Sequence, residues 1–243
     1  MKEVVILSNH HAYTYNFRKE IIERLLEENY KIYIVLPYGE KVELLKEMGC
    51  EFIDLPLDRR GMNPLKDLKL LYNYFKIIKK IRPSAILSYT IKPNVYGGIV
   101  SRILKIPFFP NITGLGTAFE KESVLQKILI TMYRVAYKNA DCIFFQNKEN
   151  QDFFKQKNIS IRKSKLIPGS GVNTEYFSLL PYPNSETIEF VFISRIMKEK
   201  GIDQYLEAAT YIKGKYPNTQ FHVLGFCEED YEEKLSYFSY LFP

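Results

Sequence analysis

Short runs of consecutive apolar residues alternate along the chain with longer stretches in which apolar residues recur every three or four positions. The first rhythm predicts buried strands and the second amphipathic helices. Val4–Leu7 reads as a strand, and Phe17–Asn29 as a helix whose stripe is Phe17, Ile21, Ile22, Leu25 and Leu26. Lys31–Leu36 is the next strand, Glu40–Met48 a short helix capped by Gly49, and Phe52-Ile53 a third strand. Asn63 then serves as N-cap and Pro64 as first helical residue of a helix to Ile81, with Leu65, Leu68, Leu71, Phe75 and Ile78 on one face and Pro83 as its stop. Strands at Ala85–Ser88, Ile106–Ile112, Cys142–Phe145 and Lys165–Ile167 follow, separated by helices at Asn94–Leu104, Val124–Tyr137 and Lys148–Gln156.

This alternation predicts an α/β fold with a parallel sheet covered on both faces, because only such a sheet needs near-continuous apolar strands. Residues 1–170 form one Rossmann-like domain on this reading. Residues 171–187, rich in Gly, Pro, Asn and Ser, read as a hinge. The pattern then restarts over residues 188–243, with strands at Ile188–Ile193 and Thr219–Leu224 and helices at Gly201–Ile212 and Glu229–Leu235. Two such units supply little core, so the expectation is an incomplete second domain. The closing string Ser236–Pro243 has no obvious place in a finished fold.

Composition narrows the picture modestly. Lys and Arg number 34 against 28 Asp and Glu, a mild basic balance that attracts phosphates or means only a basic surface. Cys50, Cys142 and Cys227 are widely spaced and form no CxxC pair, which argues against zinc and disulfide frameworks and fits a reducing cytoplasm. No apolar run approaches the ~18 residues that span a membrane. Peripheral contact at the inner membrane face stays open.

Candidate chemistry sits where the loops after the first, fourth and fifth strands should gather, at the carboxyl edge of the sheet. The dinucleotide glycine fingerprint is absent there, which disfavours a nicotinamide dehydrogenase. The first loop and helix start bring His10, His11, Asn16 and Arg18, the fourth Thr90, Lys92 and Asn94, and the fifth Asn111, Thr113, Gly114 and Gly116. Each has two readings. The histidines are catalytic or merely hydrogen-bonded, Lys92 a ligand or a surface lysine, and the glycines a ligand approach or a tight turn. In the second unit Arg195 and Lys200 straddle a turn before Gly201 and a helix start, where a diphosphate would be welcome, or where basic residues simply face water.

The segment Ser194-Arg-x4-Lys-Gly201, followed by Glu207-Ala-Ala209, resembles the opening of the nucleotide-sugar domain in retaining glycosyltransferases of family 4. Val223-Leu-Gly225 and Gly171-Val-Asn-Thr174 with Tyr176-Phe177 resemble that family's next strand and its hinge. Tyr89–Gly97 and Asn111–Gly116 are similar to bacterial members that build capsule, O-antigen or lipid-linked glycans. The resemblance implies the GT-B architecture, one complete Rossmann-like domain plus the start of a second, with reaction in the cleft between domains. It also implies a nucleotide-diphosphate sugar donor, a uridine one by expectation, an undecaprenyl-diphosphate-linked acceptor, and no metal, cofactor or nucleic acid. Arg195, Lys200 and Gly201 would hold the leaving diphosphate, and His10, Asn16, Arg18, Lys92, Asn94, Asn111, Thr113, Gly114 and Gly116 the acceptor. The chain departs from the family where His10-His11 replaces a glycine-rich loop, where Ser88–Lys92 lacks a histidine, and where a Glu-x7-Glu motif would follow. The expectation is a curtailed transferase, inactive or nearly so by itself. A non-catalytic binding module and a UDP-sugar 2-epimerase are the alternatives.

Overall fold

The computed structural model describes residues 1–59, 61, 63–116, 119, 123–159 and 163–226. The chain divides into two compact units, Met1–Asn173 and Thr174–Pro243. The first unit runs β1 (Lys2–Leu7), α1 (His11–Glu27), β2 (Tyr30–Leu36), α2 (Val42–Glu47), β3 (Glu51–Asp54), α3 (Pro64–Ile81) and β4 (Ala85–Tyr89). It continues with α4 (Ile91–Leu104), β5 (Phe108–Ile112), α5 (Val124–Tyr137), β6 (Ile143–Phe145), α6 (Lys148–Gln156) and β7 (Ser164–Leu166). The seven strands pair in parallel in the order β3-β2-β1-β4-β5-β6-β7.

Alternate strand residues feed two cores. Val4, Ile6, Ile32 and Ile34 pack on one side with Ile22 of α1 and Val42 and Leu45 of α2. On the other side Val5, Leu7, Ile86, Phe108 and Phe145 meet Leu70, Tyr74 and Ile78 of α3, Val95 and Val100 of α4, Tyr133 and Tyr137 of α5, and Phe154 of α6. Both sheet faces are thus covered, as near-continuous apolar strands require. Two features correct the sequence reading. Helix α1 begins at His11, six residues before the expected Phe17, because the His10 side chain caps it. In α3 the buried face is Leu70, Tyr74 and Ile78, while Leu65 and Leu68 stand 78% and 63% exposed. The Asn63 cap and Pro64 start of α3 fall where expected, with the Asn63 carboxamide accepting from the Leu65 and Lys66 N–H groups.

The second unit pairs β8 (Ile188–Ile193) in parallel with β9 (Thr219–Leu224), joined through one 3-10 turn (Lys198–Lys200) and α7 (Ile202–Lys215). Its core is small: Ile196, Ile202 and Leu206, with Phe192, Tyr205 and Val223 against them. Among the described residues, Val191, Ile193 and Leu224 lie exposed on these strands. The helix expected at Glu229–Leu235 and the closing string lie outside the described residues.

Helix α4 lies against both the sheet and α5, and Gly98 permits this approach. A Cβ there would stand 2.9 Å from the Ala136 carbonyl oxygen and from the Phe108 ring. Gly114, by contrast, has no atom of a described residue within 4 Å of its would-be Cβ. Backbone cannot step aside as a flexible side chain can, so Gly98→Ala is expected to cost ~1–3 kcal/mol, or about 2–10 °C in thermal midpoint. Gly114→Ala should leave the midpoint unchanged in the same melt.

Candidate functional site

The winding order sets the site. From β1 the chain winds outward to β2 and β3, then returns to β4 on the other flank and winds outward again. The connections after β1 and β4 therefore diverge, leaving a crevice at the carboxyl ends of these neighbours, the place where open α/β sheets bind ligands. Register keeps the rim level, with Leu7 beside Ser88 and Tyr89 beside Asn111. The expected gathering of the loops after β1, β4 and β5 is what the sheet delivers.

Not every expected residue is free to meet a ligand. His10 Nδ1 accepts from the Ala12 N–H at 3.2 Å, and His11 Nδ1 accepts from the Lys41 N–H at 3.2 Å. The two rings stack with centroids 4.5 Å apart. Burial, then the Arg59 guanidinium and His11, lower the His10 pKa, which keeps the capping nitrogen unprotonated. Both histidines thus fasten backbone.

Lys92 lies within the first turn of α4, not in the loop where the sequence put it, and Asn94 ends that turn rather than opening the helix, because α4 begins at Ile91. Lys92 Nζ donates to Asp67 Oδ1 at 2.6 Å and to the Gly61 carbonyl at 2.7 Å, with both side chains of the ion pair under one-fifth exposed. It therefore ties the segment ahead of α3 to α4. Asn94, 2% exposed, accepts from the Ser88 hydroxyl and donates to the Asn111 carbonyl at 2.9 Å. That chain of bonds locks α4 onto β4 and β5.

Other groups are unspent. The Thr90 Oγ1, Asn111 Oδ1 and Asn9 Oδ1 atoms are buried without a hydrogen-bond partner. Thr90 also holds φ 72° and ψ 164°, a region almost reserved for glycine. A strained backbone with an unmet hydroxyl at a strand end is a feature of ligand sites rather than of plain scaffolding. Thr113, Gly114 and Gly116 stand exposed just beyond β5, and Asn16 is exposed on α1. Arg18 is 6% exposed, its guanidinium carbon 4.3 Å from the Tyr89 ring centroid. Among the described residues no His, Cys, Asp and Glu cluster could hold a metal ion.

In the second unit Arg195 and Lys200 are exposed on either side of the buried Ile196 and the half-buried Met197, on the turn between β8 and α7. Gly201 caps α7 with φ +82°, leaving the first N–H groups of the helix without a side-chain cap. No carboxylate of a described residue pairs with either cation. A helix start with open donors and two unpaired cations has the electrostatics of an anion site. Sequence reasoning missed Asp67, Gln146 and Ser170. Gly-Ser-Gly at 169–171 was a usable signal, since a serine set between flexible glycines is positioned rather than packed.

The profile of the family described as "Glycosyl transferase 4-like" matches residues 3–147. Among curated proteins, the chain is 26% identical over 227 residues to N,N'-diacetylbacillosaminyl-diphospho-undecaprenol alpha-1,3-N-acetylgalactosaminyltransferase of Campylobacter jejuni, covering 86% of this chain and 60% of that protein. It is 24% identical over 185 residues to UDP-Gal:alpha-D-GlcNAc-diphosphoundecaprenol alpha-1,3-galactosyltransferase of Escherichia coli, covering 68% of this chain and 46% of the relative. The chain thus spans about half to three-fifths of the length of these relatives. Among solved structures, HepE of Anabaena in complex with UDP and glucose matches with TM-score 0.71 at 14% identity, over 99% of this chain and 65% of that one. A UDP-N-acetylglucosamine 2-epimerase matches with TM-score 0.63 at 11% identity, over 90% of this chain and 62% of its own. At such identities the structural likeness shows the fold, the GT-B type shared by transferases and epimerases.

The Lys92–Asp67 pair makes a claim that separates scaffold from ligand contact. A double-mutant cycle with Lys92→Met and Asp67→Asn, read by chemical denaturation, should return a coupling of ~1–3 kcal/mol. Coupling near zero would show that Lys92 is not held by Asp67 and would return it to the ligand.

Proposed function

The chain belongs to the Glycosyl transferase 4-like family, and from that premise we propose that it serves transfer of a sugar from a nucleotide-diphosphate donor, a uridine one, to a saccharide carried on undecaprenyl diphosphate. The observation that carries this reading is the Arg195–Gly201 turn, where two unpaired cations and an uncapped helix start stand together. As the glycosidic bond to the diphosphate breaks, negative charge grows on the leaving oxygen. Fixed cations and N–H dipoles stabilise that charge more than they stabilise the intact donor, which is what lowers the barrier. The names of both curated relatives carry a diphospho-undecaprenol acceptor, and one names a UDP-sugar donor. An epimerase would share the fold, but the family match and the two transferase relatives favour transfer.

A lipid-linked acceptor calls for work at a membrane surface, and one helix layer is suited to it. No described helix is long and apolar enough to cross a membrane. Helices α3, α4, α5 and α6 share one side of the sheet and carry eleven Lys or Arg residues against three acids. Helices α1 and α2 on the opposite side carry four cations and five acids. Exposed Leu65, Leu68 and Tyr72 on α3, with Val124 and Ile128 on α5, add apolar contact. Four of these five lie in the first two turns of their helices, near the carboxyl edge of the sheet. Each cation near an anionic bilayer is worth ~1 kcal/mol, and the apolar side chains add burial in the interface.

Two measurements test the reading. In calorimetric titration UDP should bind, and Arg195→Ala and Lys200→Ala should each weaken it about ten-fold, the value of one charge-assisted hydrogen bond. An unchanged Kd in both variants would sink the diphosphate assignment. In sedimentation with phosphatidylglycerol vesicles the protein should pellet, and Lys76→Glu with Lys79→Glu should release it. Equal pelleting with neutral phosphatidylcholine vesicles would refute the electrostatic docking.

A further inference from the structure

Arg18 is the one described arginine that is nearly sealed from water, and its acceptor is a neutral hydroxyl rather than a carboxylate. A buried guanidinium is tolerated when a carboxylate or another anion meets it, because desolvating an unmet charge costs several kcal/mol. No carboxylate of a described residue pairs with Arg18. Its contacts are the Tyr89 ring face at 4.3 Å and one hydrogen bond, from Nη1 to the Ser170 Oγ at 3.2 Å. A guanidinium has five N–H donors, so most of its capacity is unspent. None of its nitrogens is both sealed from water and without a partner.

Ser170 completes the pattern. Its Oγ also accepts from Gln146 Nε2 at 3.1 Å, so two incoming donors occupy its lone pairs. The hydroxyl hydrogen is left to donate outward, and no described residue receives it. Gly169 at φ +77° and Gly171 at φ +79° hold the loop in a left-handed shape on both sides of this serine. Arg18 reaches the last residue of β4, while Gln146 follows β6 and Ser170 follows β7, so the group lies at the carboxyl edge of the sheet. Arg18 and Gln146 thus converge as donors on the Ser170 hydroxyl oxygen, and no carboxylate of a described residue meets the cation.

We propose that Arg18 and Ser170, with Gln146 behind them, form a seat for a substrate phosphate at the carboxyl edge of the first unit's sheet. The planar guanidinium fork offers two parallel N–H bonds to one phosphate, and the Ser170 O–H supplies a third. This rests on the transfer reading, in which both substrates carry a diphosphate. The shared chemistry is the phosphate oxyanion, borne on the nucleotide or on the isoprenoid.

The test is thermal melting of the full chain with inorganic pyrophosphate, UDP or farnesyl diphosphate as probes. Pyrophosphate should raise the midpoint, and whichever carrier raises it further identifies the source. Arg18→Met should abolish the Arg18-dependent shift while leaving the ligand-free midpoint level or about 2–4 °C higher, since an apolar replacement removes an unmet buried charge. Arg18→Lys should retain only part of the shift, because the ammonium lacks the fork. Ser170→Ala should shrink the shift measured from its own ligand-free midpoint, whatever the loss of its two accepted hydrogen bonds does to that midpoint, and keeps the test open where Arg18→Met does not fold. Lys200→Ala should weaken UDP alone and leave any farnesyl diphosphate shift intact, so failure of the donor assignment and failure of this seat are read separately. A full pyrophosphate shift in Arg18→Met, no shift with any probe in the parent chain, or a ligand-free midpoint that falls in Arg18→Met as for a partnered ion would each overturn the seat.

Discussion

The handedness of the crossover between parallel strands is the constraint on which this molecule depends. A strand, a helix and the next parallel strand join almost always in one sense, so a chain that starts in the middle of a sheet must wind outward, return and wind outward again. Here the return falls between β3 and β4, which makes β1 and β4 neighbours whose connections part company. Every feature of interest in the first unit follows from that parting. The orphaned Asn9 and Thr90 side-chain oxygens belong to the residues just beyond β1 and β4. Tyr89, the platform for Arg18, closes β4 itself. Backbone groups in the crevice lack a helix above them, so polar side chains and ligands take the place that packing takes elsewhere.

Against this frame the cations of the protein fall into two kinds. Lys92 has a carboxylate and a carbonyl within 2.7 Å, and so its charge is spent on holding two helices in register. Arg18, Arg195 and Lys200 have no such partner among the described residues. For exposed Arg195 and Lys200 water can satisfy the charge, and the case for a ligand comes from the helix start beside them. For buried Arg18 water is largely excluded, and the case comes from the desolvation itself. These are separate physical arguments for two anion positions in two units, and neither borrows strength from the other.

How much of this was legible in the sequence depends on the range of the interaction that decides each feature. Strand positions and the parallel sheet were readable because apolar runs and helical periodicity are local, and β8 and β9 begin and end where the pattern placed them. The start of α1 was not, because its cap is a histidine imidazole, whereas the usual capping residues are Ser, Thr, Asp and Asn. The face of α3 was misread because Tyr74 takes a core position that a count of aliphatic residues passes over, while Leu65 and Leu68 continue the spacing on the outside. The ion pair of Lys92 joins residues 25 apart and the bond of Arg18 to Ser170 residues 152 apart, and no local pattern encodes either. The crevice could be located from sequence, but which of its side chains were already engaged could not.

The misread leucines carry the last step. A helix that shows Leu65 and Leu68 to solvent forgoes burial worth ~1.5–3 kcal/mol for each side chain, so such exposure is retained where another surface can cover it. Water-facing leucines set among Lys66, Lys69 and Lys76, with a single acid on the helix, have no electrostatic reason to meet a basic or neutral protein face. An anionic lipid surface satisfies both demands at once, headgroups for the lysines and acyl chains for the leucines. These residues open α3, so they stand toward the carboxyl edge of the sheet, where the crevice lies. The charge sidedness of the two helix layers and the winding order of the sheet are therefore parts of one arrangement. The first gives one side of the sheet the charge that an anionic surface would attract, and the second sets the crevice at the sheet edge where α3 begins.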